Sequence, residues 1–210
     1  YEINRQDKGG RIFMVSEVWQ IMKQIGYKFF GVVDLEEESP HRSRTTAWGS
    51  WMSPSAPYIY NPKECVILAY KKKHIKTVKG TPEWVGEMGE VEGKDGNMRP
   101  KMMYTEQQKR EFIDLVFGQW NYFADTRSLT KATFSMDIPT KAIKILTYKN
   151  DIVLDPFAGS GTSLVAAETL DRRWIGIELS PNYAKVAQDR VGLFVEQRRQ
   201  QVIDFNNQNP

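Results

Sequence analysis

The sequence predicts an α/β fold with a parallel sheet, from the order of elements in its last third. Residues 151–155 are a short apolar run with β-branched side chains, a glycine-rich turn spans 156–162, and 163–170 suit a helix. A second apolar run at 174–179 and a second helical stretch at 183–194 follow. Strand, turn, helix, strand and helix in this order indicate a parallel βαβ unit.

The composition is that of an ordinary globular protein with one core. Of the 210 residues, 40% are hydrophobic and 26% are charged, and no apolar run is long enough to cross a bilayer, so we expect no membrane partner. The single cysteine, Cys65, excludes a disulfide scaffold and a cysteine zinc site. We expect no metal, and a reducing cytoplasm is the natural setting.

The first third predicts one helix and two strands. Residues 15–25 place apolar side chains at helical spacing, and Gly26 ends that pattern. Residues 28–35 predict a buried strand that ends in an acidic turn at 36–40, and 65–70 predict a second strand.

The middle of the chain is polar and less regular. Residues 42–62 are rich in Ser, Pro and aromatic side chains without helical periodicity, which predicts a long ordered loop. Residues 77–99 are polar and glycine-rich, with a turn expected at 93–97.

Two further helices are expected before the βαβ unit. Thr105 and Gln108 have the spacing of a capping box, which begins a helix that runs to Phe117. Pro139 marks the start of another helix, since proline is favoured in the first helical turn.

The most informative segment is the turn after the first strand of the βαβ unit. It has the sequence Asp155-Pro156-Phe157-Ala158-Gly159-Ser160-Gly161-Thr162. Its glycines let the backbone turn tightly and approach a ligand closely. Glu178 ends the next strand, at the position that faces ribose hydroxyls in doubly wound folds.

Three nucleotide-like ligands could use a turn of this kind. A P-loop needs lysine after the second glycine, but Thr162 and Ser163 follow here, and a dinucleotide fold needs a third glycine where Leu164 stands. Asp155 would also repel a pyrophosphate. S-adenosylmethionine fits better, because Asp155 suits its ammonium group and Glu178 its ribose. A generic turn with incidental glycines is disfavoured, because the turn, the aspartate and the glutamate occur together.

This segment resembles the cofactor motif of DNA methyltransferases that modify exocyclic amino groups, and residues 174–183 resemble its continuation. The resemblance implies a Rossmann-like class I methyltransferase fold with an incomplete central sheet and an inserted, loop-rich target-recognition region. It also implies S-adenosyl-L-methionine as cofactor and double-stranded DNA as partner. The cofactor-binding residues that it implies are Asp155, Pro156, Phe157, Gly159, Gly161, Thr162, Glu178, Phe134 and Thr133.

The order of motifs is similar to that of the permuted beta class. Residues 132–135 resemble the segment that precedes the cofactor motif there and touches the methionine moiety. Thr130 and Lys131 replace its usual His-Pro and Ser135 replaces its second proline, which leaves Phe134 as the well-matched contact. Trp120 also fits the family pattern.

The catalytic turn of such enzymes has the form Asp/Asn/Ser-Pro-Pro-aromatic, and this sequence does not contain it. Residues 53–58 have two residues between their prolines, and 61–63 lack the second proline. We therefore assign no catalytic residue. The chain starts at Tyr1, which predicts truncation before this motif, so that a missing N-terminal segment or a second subunit would supply catalysis.

A net charge of +3 is only a weak indication of a polyanionic partner. Local clusters of lysine and arginine are a stronger indication of where DNA would bind. The main candidates for DNA contact are Arg42, Arg44, Lys71 and Lys72, with Lys73, Lys94 and Arg99 as further ones. Each of them alone is better explained as a solvated surface charge.

We expect three regions: 1–76 as the C-terminal part of a catalytic subdomain, 77–128 as the target-recognition insert, and 129–210 as the cofactor-binding subdomain. The expected function is site-specific DNA methylation in a restriction-modification setting, with adenine N6 favoured over cytosine N4. A second copy of the chain, in a homodimer, is a further candidate partner. The alternatives are a catalytically silent homologue that binds DNA or cofactor within a complex, and a methyltransferase for RNA or small molecules.

Overall fold

The computed structural model describes residues 2–3, 12–38, 64–73, 75–123 and 134–208. The chain divides into two compact units. The first comprises residues 1–77 and 117–124, and the second comprises 78–116 and 125–210. Helices, antiparallel strands and parallel strands all occur, so the fold is α/β, as the sequence predicts. The three-region division made from the sequence stays a prediction.

The described helices and strands are numbered in chain order. They are β1 (Glu2–Ile3), β2 (Ile12–Phe13), α1 (Met14–Gln24), β3 (Lys28–Glu37), β4 (Glu64–Tyr70), β5 (Glu87–Glu92), β6 (Met98–Met103), α2 (Glu106–Val116), β7 (Gln119–Tyr122), α3 (Asp137–Leu146), β8 (Ile152–Asp155), α4 (Thr162–Thr169), β9 (Arg173–Gly176) and α5 (Pro181–Gln208).

The first unit contains a three-stranded sheet in the order β4-β3-β7. Strand β3 pairs antiparallel with β4 and parallel with β7. Strand β3 runs two residues past the expected start of the acidic turn at residue 36, because Glu36 and Glu37 still pair with β7, and residues 39 and 40 of that predicted turn lie outside the described residues. Strand β7 was not predicted. It contains Trp120, which is 1% exposed and is the largest fully buried side chain among the described residues.

The prediction that β3 is a buried strand is wrong for its first half. Val33 and Leu35 are buried, but Phe29 and Phe30 are each about half exposed. The ring of Phe29 meets Trp19 of α1 edge-on, with 5.2 Å between ring centroids. The apolar run therefore predicted the strand correctly, but it did not show which of its side chains are buried.

The second unit contains the predicted βαβ arrangement. Strands β8 and β9 pair in parallel, with Asp155 opposite Gly176, and α4 connects them. A Cβ on Gly176 would lie 2.5 Å from Leu164 of α4, so the glycine allows the helix to pack closely on the sheet. Strand β9 ends at Gly176, not at residue 179 as expected, so Glu178 lies two residues beyond the strand.

A hairpin and a helix in the second unit occupy the region expected to be loop-rich. Strands β5 and β6 pair antiparallel, an element that the polar, glycine-rich sequence did not indicate. The turn predicted at 93–97 connects them, and Gly93 N–H donates to the carbonyl of Asn97 at 2.8 Å. The predicted capping box of α2 is confirmed: Thr105 N–H donates to Gln108 Oε1 at 2.9 Å, and Gln108 N–H donates to Thr105 Oγ1 at 3.1 Å.

A buried arginine links Glu83 through hydrogen bonds to the residues that follow α3 and α4. The guanidinium of Arg172 donates to Glu83 Oε2 at 2.7 Å, to both oxygens of Thr147, and to the carbonyl of Leu170. Its side chain is fully buried. Burying an N–H group of the guanidinium without an acceptor would be costly, and these oxygens supply the acceptors. The network therefore anchors the segment before the hairpin. The sequence did not point to Arg172.

Candidate cofactor site

The candidate site begins where β8 ends. Asp155 is the last residue of the strand, and its Oδ1 accepts a hydrogen bond from Phe157 N–H at 3.0 Å. The backbone then turns through residues 156–161 before α4 begins at Thr162. One oxygen of the Asp155 carboxylate thus fixes the start of the turn, at the carboxyl edge of the parallel sheet where doubly wound folds bind ligands.

Two glycines give the turn its shape. Gly159 and Gly161 have φ values of +54° and +79°, in the left-handed region that favours glycine. A Cβ on Gly161 would lie 3.0 Å from Ala187 Cβ and 3.2 Å from Ala187 Cα in α5. At Gly159 the nearest such neighbour is the Phe157 carbonyl at 3.9 Å. Gly161 therefore allows the turn to pack directly against α5. At Gly159 the space beside the backbone remains open to a ligand.

Glu178 joins the two strand ends. Its Oε2 accepts from Gly159 N–H at 2.8 Å and its Oε1 accepts from Ser180 N–H at 2.8 Å. These hydrogen bonds, that from Ser180 first and that from Gly159 second, lower the pKa of the Glu178 carboxyl below its usual value. Glu178 therefore remains ionised near neutral pH and holds the turn through a charged acceptor.

Apolar side chains at the predicted site and beside it are exposed. Phe157 is 88% exposed, and Leu179 beside Glu178 is 98% exposed. Phe134 is partly exposed, and Met136, two residues further, packs against the buried cluster that includes Ala158. Thr133 lies outside the described residues. The structure thus brings Glu178 to the turn formed by the predicted cofactor residues from Asp155 to Thr162, and it leaves the side chain of Phe134 partly exposed.

One residue of the site was missed in the sequence. Arg190 of α5 donates to the carbonyl and Oγ of Ser160 and to Thr162 Oγ1. It lies three residues after Ala187, so both project from the same face of the helix toward the turn. That spacing from a small residue was the available signal, but it is too common in helices to single out an arginine.

The candidate DNA contacts fall in different settings. Lys71, Lys72 and Lys73 are exposed directly after β4, with Lys71 Nζ 5.7 Å from the centre of the Tyr27 ring. Arg42 and Arg44 lie outside the described residues, as do the proline-containing segments 53–58 and 61–63.

The hairpin candidates Lys94 and Arg99 lie among side chains of mixed charge. Residues 87–103 contain four acidic and three basic side chains, and Arg99 pairs with Asp95 at 2.5 Å. The part of the chain that the structure describes has no cluster of metal-ligand side chains and no helix suited to spanning a membrane.

Comparison with known proteins relates the chain to DNA methylases. The profile of the DNA methylase family N6_N4_Mtase matches residues 5–189. The Type II methyltransferase M.MjaVI of Methanocaldococcus jannaschii is 36% identical over 122 residues, which is 58% of this chain and 50% of that protein. M.BglI of Bacillus subtilis is 39% identical over 79 residues, which is 38% of this chain and 23% of that protein. The chain spans half or less of these relatives.

Solved structures share the fold. TTHA0409 of Thermus thermophilus, a proposed DNA modification methylase crystallised with S-adenosyl-L-methionine, superposes with a TM-score of 0.60 at 20% identity. The alignment covers 92% of this chain and 66% of that one. The cytosine-N4-specific PvuII DNA methyltransferase gives a TM-score of 0.58 at 14% identity, covering 89% of this chain and 59% of that one. The class I methyltransferase fold expected from the sequence is thereby confirmed.

The lowered pKa of Glu178 predicts a pH-dependent contribution to stability. Its charged form contributes stability that is fully present above the unfolded-state pKa of about 4.3 and is lost as pH falls through the lower folded-state pKa. We expect Glu178→Gln to have a smaller free energy of unfolding than the wild type at pH 7, and the difference to shrink below about pH 4. Urea unfolding between pH 7 and pH 3 measures this.

The control is Glu196→Gln, which neutralises an exposed glutamate of α5. A difference between wild type and Glu178→Gln that stays constant across this pH range would contradict the assigned role of the carboxylate.

Proposed function

This chain belongs to the DNA methylase family N6_N4_Mtase, and we propose that it binds S-adenosylmethionine and serves the methylation of an exocyclic amino group in DNA. The observation that carries the proposal is the glycine turn held between two carboxylates. Asp155 precedes the turn, and Glu178 accepts a hydrogen bond from its Gly159 N–H. Double-stranded DNA as substrate and the cytoplasm as location belong to the same proposal.

The chemistry of the donor set fits this cofactor. Two carboxylates at adjacent strand ends would repel a pyrophosphate but suit a ligand with an ammonium group and ribose hydroxyls. The Glu178 oxygens each accept one backbone N–H, and a carboxylate offers about four acceptor sites, so acceptors remain for ribose hydroxyls. When bound, S-adenosylmethionine supplies a methyl group activated by its sulfonium.

Each residue of the turn has a proposed task. Asp155 accepts hydrogen bonds from the methionyl ammonium group, and Glu178 accepts those of the ribose. Gly159, where a side chain is missing and the backbone is open, lets the cofactor approach closely. Phe157 and Leu179 present exposed apolar surface beside the carboxylates, which suits a flat purine ring.

Methyl transfer requires a further group. An exocyclic amine is a poor nucleophile because its lone pair is delocalised into the ring, so acceptors for its hydrogens and an aromatic ring to stack on the flipped base are needed. This sequence has no Asp/Asn/Ser-Pro-Pro-aromatic turn, and we propose that a further segment or subunit of the complete protein contributes it. A beta-class arrangement and adenine N6 as the target rest on the family resemblance.

We propose that the lysines after β4 contact phosphates of the DNA. Lys71, Lys72 and Lys73 are exposed, and no acidic residue occurs between 71 and 79. The stacked position of Lys71 near Tyr27 also places an aromatic ring within the basic surface. Such a surface binds the backbone without reading sequence.

Calorimetric titration with S-adenosylhomocysteine tests the cofactor site. We expect the wild-type chain to bind it, and Asp155→Ala and Glu178→Ala each to weaken binding by about 10- to 100-fold, since each removes a charged hydrogen-bonding group. Asp189→Ala is the control, because Asp189 is an exposed carboxylate of α5 that pairs with Lys185. Wild-type affinity in both site variants would refute the site assignment.

A methylation assay on the same samples, with mixed-sequence double-stranded DNA, separates the roles. Binding without transfer supports a cofactor-binding part that needs a separate catalytic turn. Transfer by this chain alone would contradict the proposed division. A folded chain that binds DNA but no cofactor would favour the silent homologue.

The salt dependence of DNA binding tests the lysines. Lys71→Gln and Lys72→Gln should each reduce the slope of log affinity against log salt concentration by about 1 and weaken binding to all sequences equally. Lys109→Gln is the control, since Lys109 of α2 is exposed and pairs with Glu106 at 2.6 Å. An unchanged slope in both variants would remove these lysines from the interface.

A further inference from the structure

Arg190 holds the part of the turn that surrounds Gly161. Its Nη1 donates to Thr162 Oγ1 at 3.0 Å and to both the carbonyl and the Oγ of Ser160 at 3.3 Å. Ser160 and Thr162 are 3% and 4% exposed, so these acceptors are out of water. A single guanidinium nitrogen thus joins the residues on either side of the left-handed glycine.

Helix α5 meets the turn at two adjacent points. Ala187 fills the space in which a Gly161 side chain would lie, and Arg190 follows one helical turn later on the same face. Val191, the next residue, is buried in the cluster with Ala158, Leu164 and Val165. The helix is therefore firmly packed where Arg190 projects, which fixes the origin of its side chain.

The charge of Arg190 is directed at the turn and not at an acid. Its acceptors are neutral oxygens, and within the described residues no carboxylate forms an ion pair with it. Asp189, its neighbour in sequence, pairs with Lys185 at 2.6 Å. Hydrogen bonds from a charged donor are stronger than those between neutral groups, so this side chain stabilises the conformation of the turn.

We propose that Arg190 is a positioning residue of the cofactor site. It keeps Ser160 and Thr162 in place, which maintains the turn conformation in which Gly159 N–H reaches Glu178. Without it, two buried hydroxyls lose their charged donor and the turn relaxes, so Glu178 and Asp155 lose their relative placement. The effect on the turn follows from the structure alone, and the effect on affinity rests on the proposed cofactor function.

The variant Arg190→Met retains length and removes the donors, and Arg190→Lys retains one charged donor. We expect Arg190→Met to weaken S-adenosylhomocysteine binding at least tenfold and Arg190→Lys to restore part of that loss. Two controls are matched by position. Val191→Ala weakens the packing of the same helix without touching the turn hydroxyls, and Lys185→Met removes an exposed cation five residues earlier in α5.

Amide hydrogen exchange of the ligand-free chain gives a readout that does not need the cofactor. Arg190→Met should speed exchange at Gly159 and Gly161, whose N–H groups are bonded to Glu178 and to the Ala158 carbonyl, while Lys185→Met should not. If the wild-type chain does not bind S-adenosylhomocysteine, the proposed cofactor function is refuted. The exchange experiment then still tests whether Arg190 holds the turn.

Two outcomes would overturn the role of Arg190. One is wild-type exchange and wild-type affinity in Arg190→Met. The other is that Val191→Ala loses as much affinity as Arg190→Met when both variants have the same fall in unfolding temperature. That result would mean that Arg190 acts only through the stability of α5.

Discussion

The close contact between Gly161 and Ala187 is the constraint on which the candidate site depends. A Cβ at residue 161 would lie 3.0 Å from Ala187 Cβ, closer than an ordinary contact, and the φ of +79° lies where glycine is favoured. Glycine therefore lets the chain leave β8, turn and enter α4 while touching α5. Gly176 plays the same part on the other strand, where it lets α4 lie close to the sheet. The two glycines thus allow close packing of α5 against the turn and of α4 against the sheet. In this packed arrangement Glu178 lies within hydrogen-bonding distance of the turn.

Electrostatics then selects the ligand that this geometry can hold. The carboxylates of Asp155 and Glu178 both accept hydrogen bonds from turn backbone, so the site presents negative charge on a rigid support. Phosphate-binding glycine turns present backbone N–H groups and often a lysine, and Thr162 and Ser163 stand where that lysine would be. A cationic ligand with hydroxyl groups is the complement of this arrangement.

The βαβ unit and the turn were predictable because the pattern there is local. Apolar periodicity, a glycine turn and a capping box each act over a few residues, and the structure contains all three. The rest depends on partners distant in sequence. Strand β7 and the end of β3 exist through their pairing with each other, the β5–β6 hairpin has no apolar alternation to reveal it, and Arg172 reaches Glu83 across 89 positions. Arg190 was missed for the same reason, since its acceptors lie 28 and 30 residues away.

The affinity of Gly161→Ala for S-adenosylhomocysteine tests most directly whether the packed turn creates the cofactor site, with Gly192→Ala as the matched control in α5. A Cβ at residue 192 would meet nothing within 4 Å. Strained backbone of the kind created at residue 161 costs about 1–3 kcal/mol, whereas alanine in a helix interior is favoured over glycine by about 0.5–1 kcal/mol. The packed-turn explanation predicts that Gly161→Ala folds but binds the ligand much more weakly, while Gly192→Ala binds like the wild type. Undiminished affinity in Gly161→Ala would contradict it.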